Sequence, residues 1–105
     1  MVSIVEIGVE QLVRMKSVAE DHALIDIRMP FEVMQGGIPG SQNIPMNQLP
    51  AIIDQLRGHA RVVLYCRSGA RSAQACAFLA AQGLDNVVNL RGGIIAWVQS
   101  GQAVG

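Results

Sequence analysis

The residues best suited to chemistry lie together in Tyr65-Cys66-Arg67-Ser68-Gly69-Ala70-Arg71-Ser72. A thiol attacks only as the thiolate, and an ordinary exposed cysteine is mostly protonated at neutral pH. Three features around Cys66 favour the anion. A helical pattern follows the loop, so its N-terminus would direct free backbone N–H groups and partial positive charge at the sulfur. Successive N–H groups in a tight loop containing Gly69 can form an anion nest. Arg67 and Arg71 add full positive charges. A lone cysteine ending a buried strand is ordinarily a small core residue. The glycine, the two arginines and the helix start together turn the reading toward a nucleophile.

The elements that must hold this loop follow from hydrophobic spacing. Arg61-Val62-Val63-Leu64-Tyr65 is an apolar run and predicts a buried strand. Ala73, Cys76, Ala77 and Ala80 then keep helical spacing, with Gly83 as a stop. Upstream, Ile4-Val5-Glu6 is a short strand candidate, and Val9, Leu12 and Val13 share one helical face. Ala23-Leu24-Ile25-Asp26-Ile27 predicts a second buried strand, in which the isolated Asp26 needs partners. Met29–Met34 reads as a short helix with Pro30 in its first turn. Residues 35–41 read as a turn-rich loop, and Asn43-Ile44-Pro45 as a short strand. Leu49, Ile52, Ile53 and Leu56 predict an amphipathic helix ending at Gly58, with Pro50 in its first turn. Asn86-Val87-Val88-Asn89-Leu90 is a further strand, followed by Gly92-Gly93 and a short helix over residues 94–98. The tail after Gly101 is expected to fray. Strands alternating with helices predict an α/β fold, with a mostly parallel twisted sheet covered by helices on both faces.

Length and composition narrow the function. The 105 residues suffice for one core, and half are apolar while 15% are charged. Eight basic and eight acidic side chains give zero formal charge, so neither nucleic acid nor a membrane surface is an expected partner. Cys66 and Cys76 are too few for a disulfide framework, and no CxxC or metal spacing occurs, so no metal site is expected. Met1-Val2-Ser3-Ile4-Val5-Glu6 lacks a basic region leading into a long apolar segment. No signal peptide is therefore expected, and a reducing, cytoplasmic setting is the expectation.

In parallel α/β sheets, ligands bind outside the carboxyl ends of the strands. That places Cys66, Arg67 and Arg71 on one rim with Asp26, Arg28 and Arg91. Four of the eight basic residues would gather there, which points to a small anionic substrate. His22 and His59 precede strands instead, and a five-residue strand is roughly 16 Å long. Neither histidine should reach Cys66, which argues against a Cys–His dyad or a Cys/His zinc site. Cys76, inside the helix, reads as a core residue, Trp97 as a packing anchor, and Asp26 as a hydrogen-bonding tie between loops.

The chain resembles the single-domain members of the rhodanese family. The likeness rests on Leu24-Ile25-Asp26-Ile27-Arg28 with Glu32, on Gly36-Gly37-Ile38-Pro39-Gly40-Ser41-Gln42-Asn43-Ile44-Pro45, on Tyr65–Ser72, and on Arg91-Gly92-Gly93-Ile94-Ile95-Ala96-Trp97. These blocks run from 24 to 98, and the whole chain, 1–105, is expected to form a single rhodanese domain. Gly37 stands where relatives usually carry histidine. The resemblance implies that Cys66 takes the outer sulfur of a donor such as thiosulfate and becomes a persulfide. It then passes that sulfur to a thiophilic acceptor, cyanide or a thiol, and the resemblance implies no cofactor. Arg67, Ser68, Gly69, Ala70, Arg71 and Ser72 would bind substrate, and thioredoxin or another sulfur-relay protein is a candidate partner. A persulfide carrier module serving a partner protein is the alternative. A cysteine-dependent phosphatase or arsenate reductase fits less well. Four residues separate Cys66 from Arg71, against five in the phosphatase signature, and Tyr65 replaces the histidine usual before that cysteine.

Overall fold

A computed structural model describes residues 4–105. Met1–Ser3, the first residues of the segment in which no signal peptide is expected, lie outside the described residues. The element order is β1 (Val5–Ile7), α1 (Val9–Ser17), β2 (Ala23–Asp26), α2 (Pro30–Val33), β3 (Gln42–Asn43), a 3-10 helix (Met46–Ile52), α3 (Ile53–Leu56), β4 (Val62–Tyr65), α4 (Ala70–Ala81), β5 (Val87–Leu90) and α5 (Gly93–Gln99). The five strands form one sheet in the order β1-β5-β4-β2-β3. Every pairing is parallel. No helix among the described residues is long and apolar enough to cross a membrane.

The unbroken apolar sequence of β4 explains its central position. A strand covered on both faces has no solvent side to keep polar, and all four β4 residues are fully buried. Successive side chains alternate between the two cores. Val62, Leu64 and Cys66 join Leu56, Ala75, Cys76 and Leu79 on the face covered by α3 and α4. Val63 and Tyr65 join Leu12, Met15, Ile94 and Trp97 on the face covered by α1 and α5. Because Cys66 continues the period-2 alternation of β4, its side chain falls on the α4 side.

Three local expectations are corrected. The segment around Leu49–Leu56 is not one α-helix. A 3-10 helix contains Pro50, and α-helix begins only at Ile53. Proline has no N–H to donate, and its ring crowds the carbonyl four residues back, so an α-helix cannot run through it. The short strand comes earlier than expected, at Gln42–Asn43, and Pro45 caps the next helix. The tail beyond Gly101 is tied down, not frayed. Trp97 Nε1 donates to Ala103 O at 2.8 Å, and Gly37 and Gly105 exchange backbone hydrogen bonds at 3.0 and 2.9 Å.

Candidate active site

The loop after β4 is shaped by two glycines. Gly69 is the N-cap of α4 with φ +97°, a left-handed conformation that costs other residues energy. Gly93 opens α5 with φ +58°, and a Cβ there would collide with the carbonyl oxygens of Cys66 and Arg67. Those oxygens accept from Ile94 N at 3.0 Å and Ile95 N at 3.1 Å. The start of α5 therefore clamps the first two carbonyls of the loop from one side. The loop is thus folded by α4 on one flank and α5 on the other.

This fold sets the state of the sulfur. Cys66 is 1% exposed. Gly69 N–H donates to its Sγ at 3.1 Å, and Ser72 Oγ lies 3.5 Å away. Burial pushes the thiol up, but the Ser72 hydroxyl and the backbone amides of Ser72, Gly69 and Ser68 outweigh it. The net effect holds the thiol below its ordinary value, with the anion stabilised by hydrogen bonds to the charged form. No hydrogen bond to Cys76 Sγ is found among the described residues. Burial, reinforced by the charge of Glu6, pushes that thiol up to about 12. One thiol is set up to ionise and the other to stay inert.

The arginines expected on the rim have separate surroundings. Arg28 is buried with Asp26, Nη2 to Oδ2 at 2.7 Å, and Nε reaches both carboxylate oxygens at 3.0 and 3.1 Å. Arg28 also donates to Gly36 O, while Asn43 Nδ2 donates to the carbonyls of Asp26 and Arg28. Asp26 and Arg28 thus fasten β2 to the loop at Gly36 and to β3. Arg71 pairs with Glu32 at 3.1 Å, linking α4 to α2. Arg91 is exposed, and its guanidinium lies 3.2 Å from where a Gly8 side chain would begin. Of the four arginines expected on that rim, Arg28 and Arg71 stand in ion pairs and Arg91 lies near Gly8. Arg67 is exposed and makes no ion pair among the described residues. Of the other loop residues, Ser68 and Ala70 are exposed, and Gly69 and Ser72 are buried.

A cavity of about 500 Å³ opens between α2, α5 and the tail, and meets the loop at Arg67. Phe31, Ile95, Val98 and Val104 give it an apolar wall. Phe31, Met34, Met29, Val98 and Val104 are exposed. His22 and His59 precede β2 and β4, and His59 stands 3.7 Å from Asp21.

Sequence reasoning missed Asn89 and Glu6. Asn89 is 1% exposed, and its amide touches Ser72, Gly69 and Glu6. The available signal was the one applied to Asp26, a polar residue interrupting an apolar strand. Sequence reasoning also gave the Tyr65 hydroxyl no role. Burial pushes its hydroxyl up to about 12. That hydroxyl accepts from Ile38 N at 3.0 Å and shares a hydrogen bond with Ser41 Oγ at 2.8 Å, fixing the loop that contains Gly37.

A parallel sheet ending in a clamped thiol cradle defines a class of α/β proteins built around a cysteine loop. The family model for the rhodanese-like domain matches residues 9–100. A sulfurtransferase from Allochromatium vinosum is 49% identical over 96 residues, which span 91% of this chain and 90% of the relative. The crystal structure of a rhodanese-related protein from Thermoplasma volcanium superposes with a TM-score of 0.83 at 33% identity, covering 96% of this chain and 97% of that one. The thiosulfate sulfurtransferase of Pseudomonas aeruginosa superposes with a TM-score of 0.89 at 25% identity, covering 97% of this chain and 20% of that one. The chain belongs to the rhodanese-like family and is of its sulfurtransferase kind.

Proposed function

We propose that the protein moves sulfane sulfur from a small anionic donor such as thiosulfate to a thiophilic acceptor, through a persulfide on Cys66. The observation that carries this reading is the Cys66 sulfur, buried yet held by Gly69 N–H at 3.1 Å and by the Ser72 hydroxyl at 3.5 Å. In the first step the Cys66 thiolate attacks the outer sulfur of thiosulfate. A new S–S bond forms, the S–S bond of thiosulfate breaks, and its electron pair leaves with sulfite. In the second step the acceptor attacks the terminal sulfur. The Cys66–sulfur bond breaks, and the thiolate returns with its electron pair. The loop amides stabilise negative charge in both resting forms without reorganising, which is where preorganised donors are most effective. Arg67, exposed and unpaired among the described residues, draws in the anionic donor.

A protein acceptor is supported by the exposed apolar side chains of Met29, Phe31, Met34, Val98 and Val104. Flexible methionines and a phenylalanine suit a docking surface for thioredoxin or another sulfur-relay protein. In that setting the same persulfide serves a carrier, and a reducing compartment such as the cytoplasm keeps Cys66 available. The test is mass spectrometry after thiosulfate treatment, with thiocyanate formation measured in parallel. The expected result is one added sulfur on Cys66, and loss of both signals in Cys66→Ser with the fold retained. Undiminished turnover by Cys66→Ser removes this reading. Sulfur loading without turnover leaves the carrier.

A further inference from the structure

Glu6, Asn89, Ser72 and Cys66 form one polar line from the outer strand to the thiol. Parallel register sets Glu6 opposite Asn89, and Asn89 opposite Leu64, on the sheet face that α4 covers. Asn89 Nδ2 donates to Glu6 Oε2 at 2.9 Å and to Gly69 O at 3.2 Å. A carboxylate and a carbonyl can only accept, so they fix the NH2 end of the amide and turn its oxygen toward Ser72. The Ser72 hydroxyl has one proton and three acceptors within reach: Asn89 Oδ1 at 2.5 Å, Gly69 O at 3.2 Å and Cys66 Sγ at 3.5 Å. The shortest of these contacts leads away from the sulfur.

We propose that Asn89, aimed by Glu6, is a positioning residue that draws the Ser72 proton away from Cys66 in the resting thiol and thereby tempers the reactivity of that thiol. In the neutral state Ser72 O–H donates to Asn89, and the Cys66 S–H donates to the free lone pair of Ser72 Oγ. When the thiol loses its proton, the Ser72 hydroxyl rotates onto the sulfur anion, where a charge-assisted bond is stronger. Asn89 Oδ1 then loses a buried partner, and that loss opposes ionisation. The two hydrogen-bond patterns differ by one rotation of one hydroxyl. The inference rests on Cys66 being the reacting sulfur, but it is read on the thiol itself, so failed sulfur transfer and a failed relay give different results. Charged and titratable groups around the line are Arg67 beside Cys66, the Arg71–Glu32 pair at the start of α4, Cys76 on α4, and Glu6 itself.

The experiment is the pH dependence of Cys66 alkylation by iodoacetamide, with the labelled peptide identified by mass spectrometry. Asn89→Leu removes both polar ends at similar size. Glu6→Ala, at an exposed position, frees the amide to turn. The midpoint should fall by about one pH unit in Asn89→Leu, a tenfold change in the ionisation constant, and by less in Glu6→Ala. Ser72→Ala should raise the midpoint. In the Ser72→Ala background both downward shifts should vanish. An unchanged or raised midpoint in Asn89→Leu overturns the proposal. So does a shift that survives Ser72→Ala, because that would be a direct electrostatic effect and not one relayed through the hydroxyl. Should Asn89→Leu not fold, Glu6→Ala and its Ser72→Ala partner decide by the same criteria.

Discussion

Gly93→Ala should damage the thiol loop and the fold together, and its cost can be worked from the structure. An L-residue at φ +58° incurs about 1–2 kcal/mol of left-handed strain. Gly101 supplies a control at φ +89°, where an added Cβ meets nothing within 4 Å. Gly101→Ala therefore carries only the backbone term. At Gly93 the new Cβ would collide with the carbonyl oxygens of Cys66 and Arg67, so α5 must withdraw. Withdrawal breaks the bonds from Ile94 N and Ile95 N to those same oxygens. Each such bond contributes about 1 kcal/mol net. Gly93→Ala should then cost about 3–4 kcal/mol, a large share of the 5–15 kcal/mol roughly expected for a domain. Denaturant unfolding measures the difference between the two variants, and Cys66 alkylation reports on the loop. A Gly93→Ala variant no less stable than Gly101→Ala would refute the clamp. So would one that lost stability while leaving Cys66 reactivity unchanged.

Three further outcomes are expected. Cys66 should alkylate with a midpoint below the ordinary cysteine value, while Cys76, held up to about 12, should label only on unfolding. Linkage gives opposite signs for the two thiols. The lowered Cys66 adds stability above the unfolded value, and that stability is lost as pH falls through its folded value. The raised Cys76 adds stability below the unfolded value, lost as pH rises through about 12. Unfolding measured across neutral to alkaline pH, in single-cysteine variants, separates the two. Arg67→Ala should raise the thiosulfate concentration needed for half-maximal turnover more than Arg71→Ala does, because Glu32 already neutralises Arg71. Steady-state kinetics on both variants check this, and equal effects would refute the ranking of the two arginines.

Much of the site was legible because strand chemistry and loop chemistry are local. An unbroken apolar run marks a buried strand, and the residues just past its end stand on the carboxyl rim. That was enough to single out Cys66, to place Asp26 and Arg28 at the same edge, and to keep His22 and His59 away. Helix over Ala73, Cys76 and Ala80 followed from spacing alone. Local signals could not distribute the charges. Arg28 has its partner Asp26 two residues away, but nothing near Arg71 in the sequence points to Glu32, which the fold brings in from α2.

By itself, the sequence determined the order of elements, the parallel sheet and the thiol at the end of its central strand. These follow from periodicities of two and 3.6 residues and from what a buried strand excludes. Only the tertiary structure decided how that thiol is cradled, and that Arg71 meets Glu32 while Arg67 stays unpaired among the described residues. Those properties depend on distances between residues far apart in the chain, such as Ser72 with Asn89 and Ile94 with Cys66. A hydrogen bond or an ion pair acts over a few ångströms, and no spacing rule along one segment fixes such a distance across three.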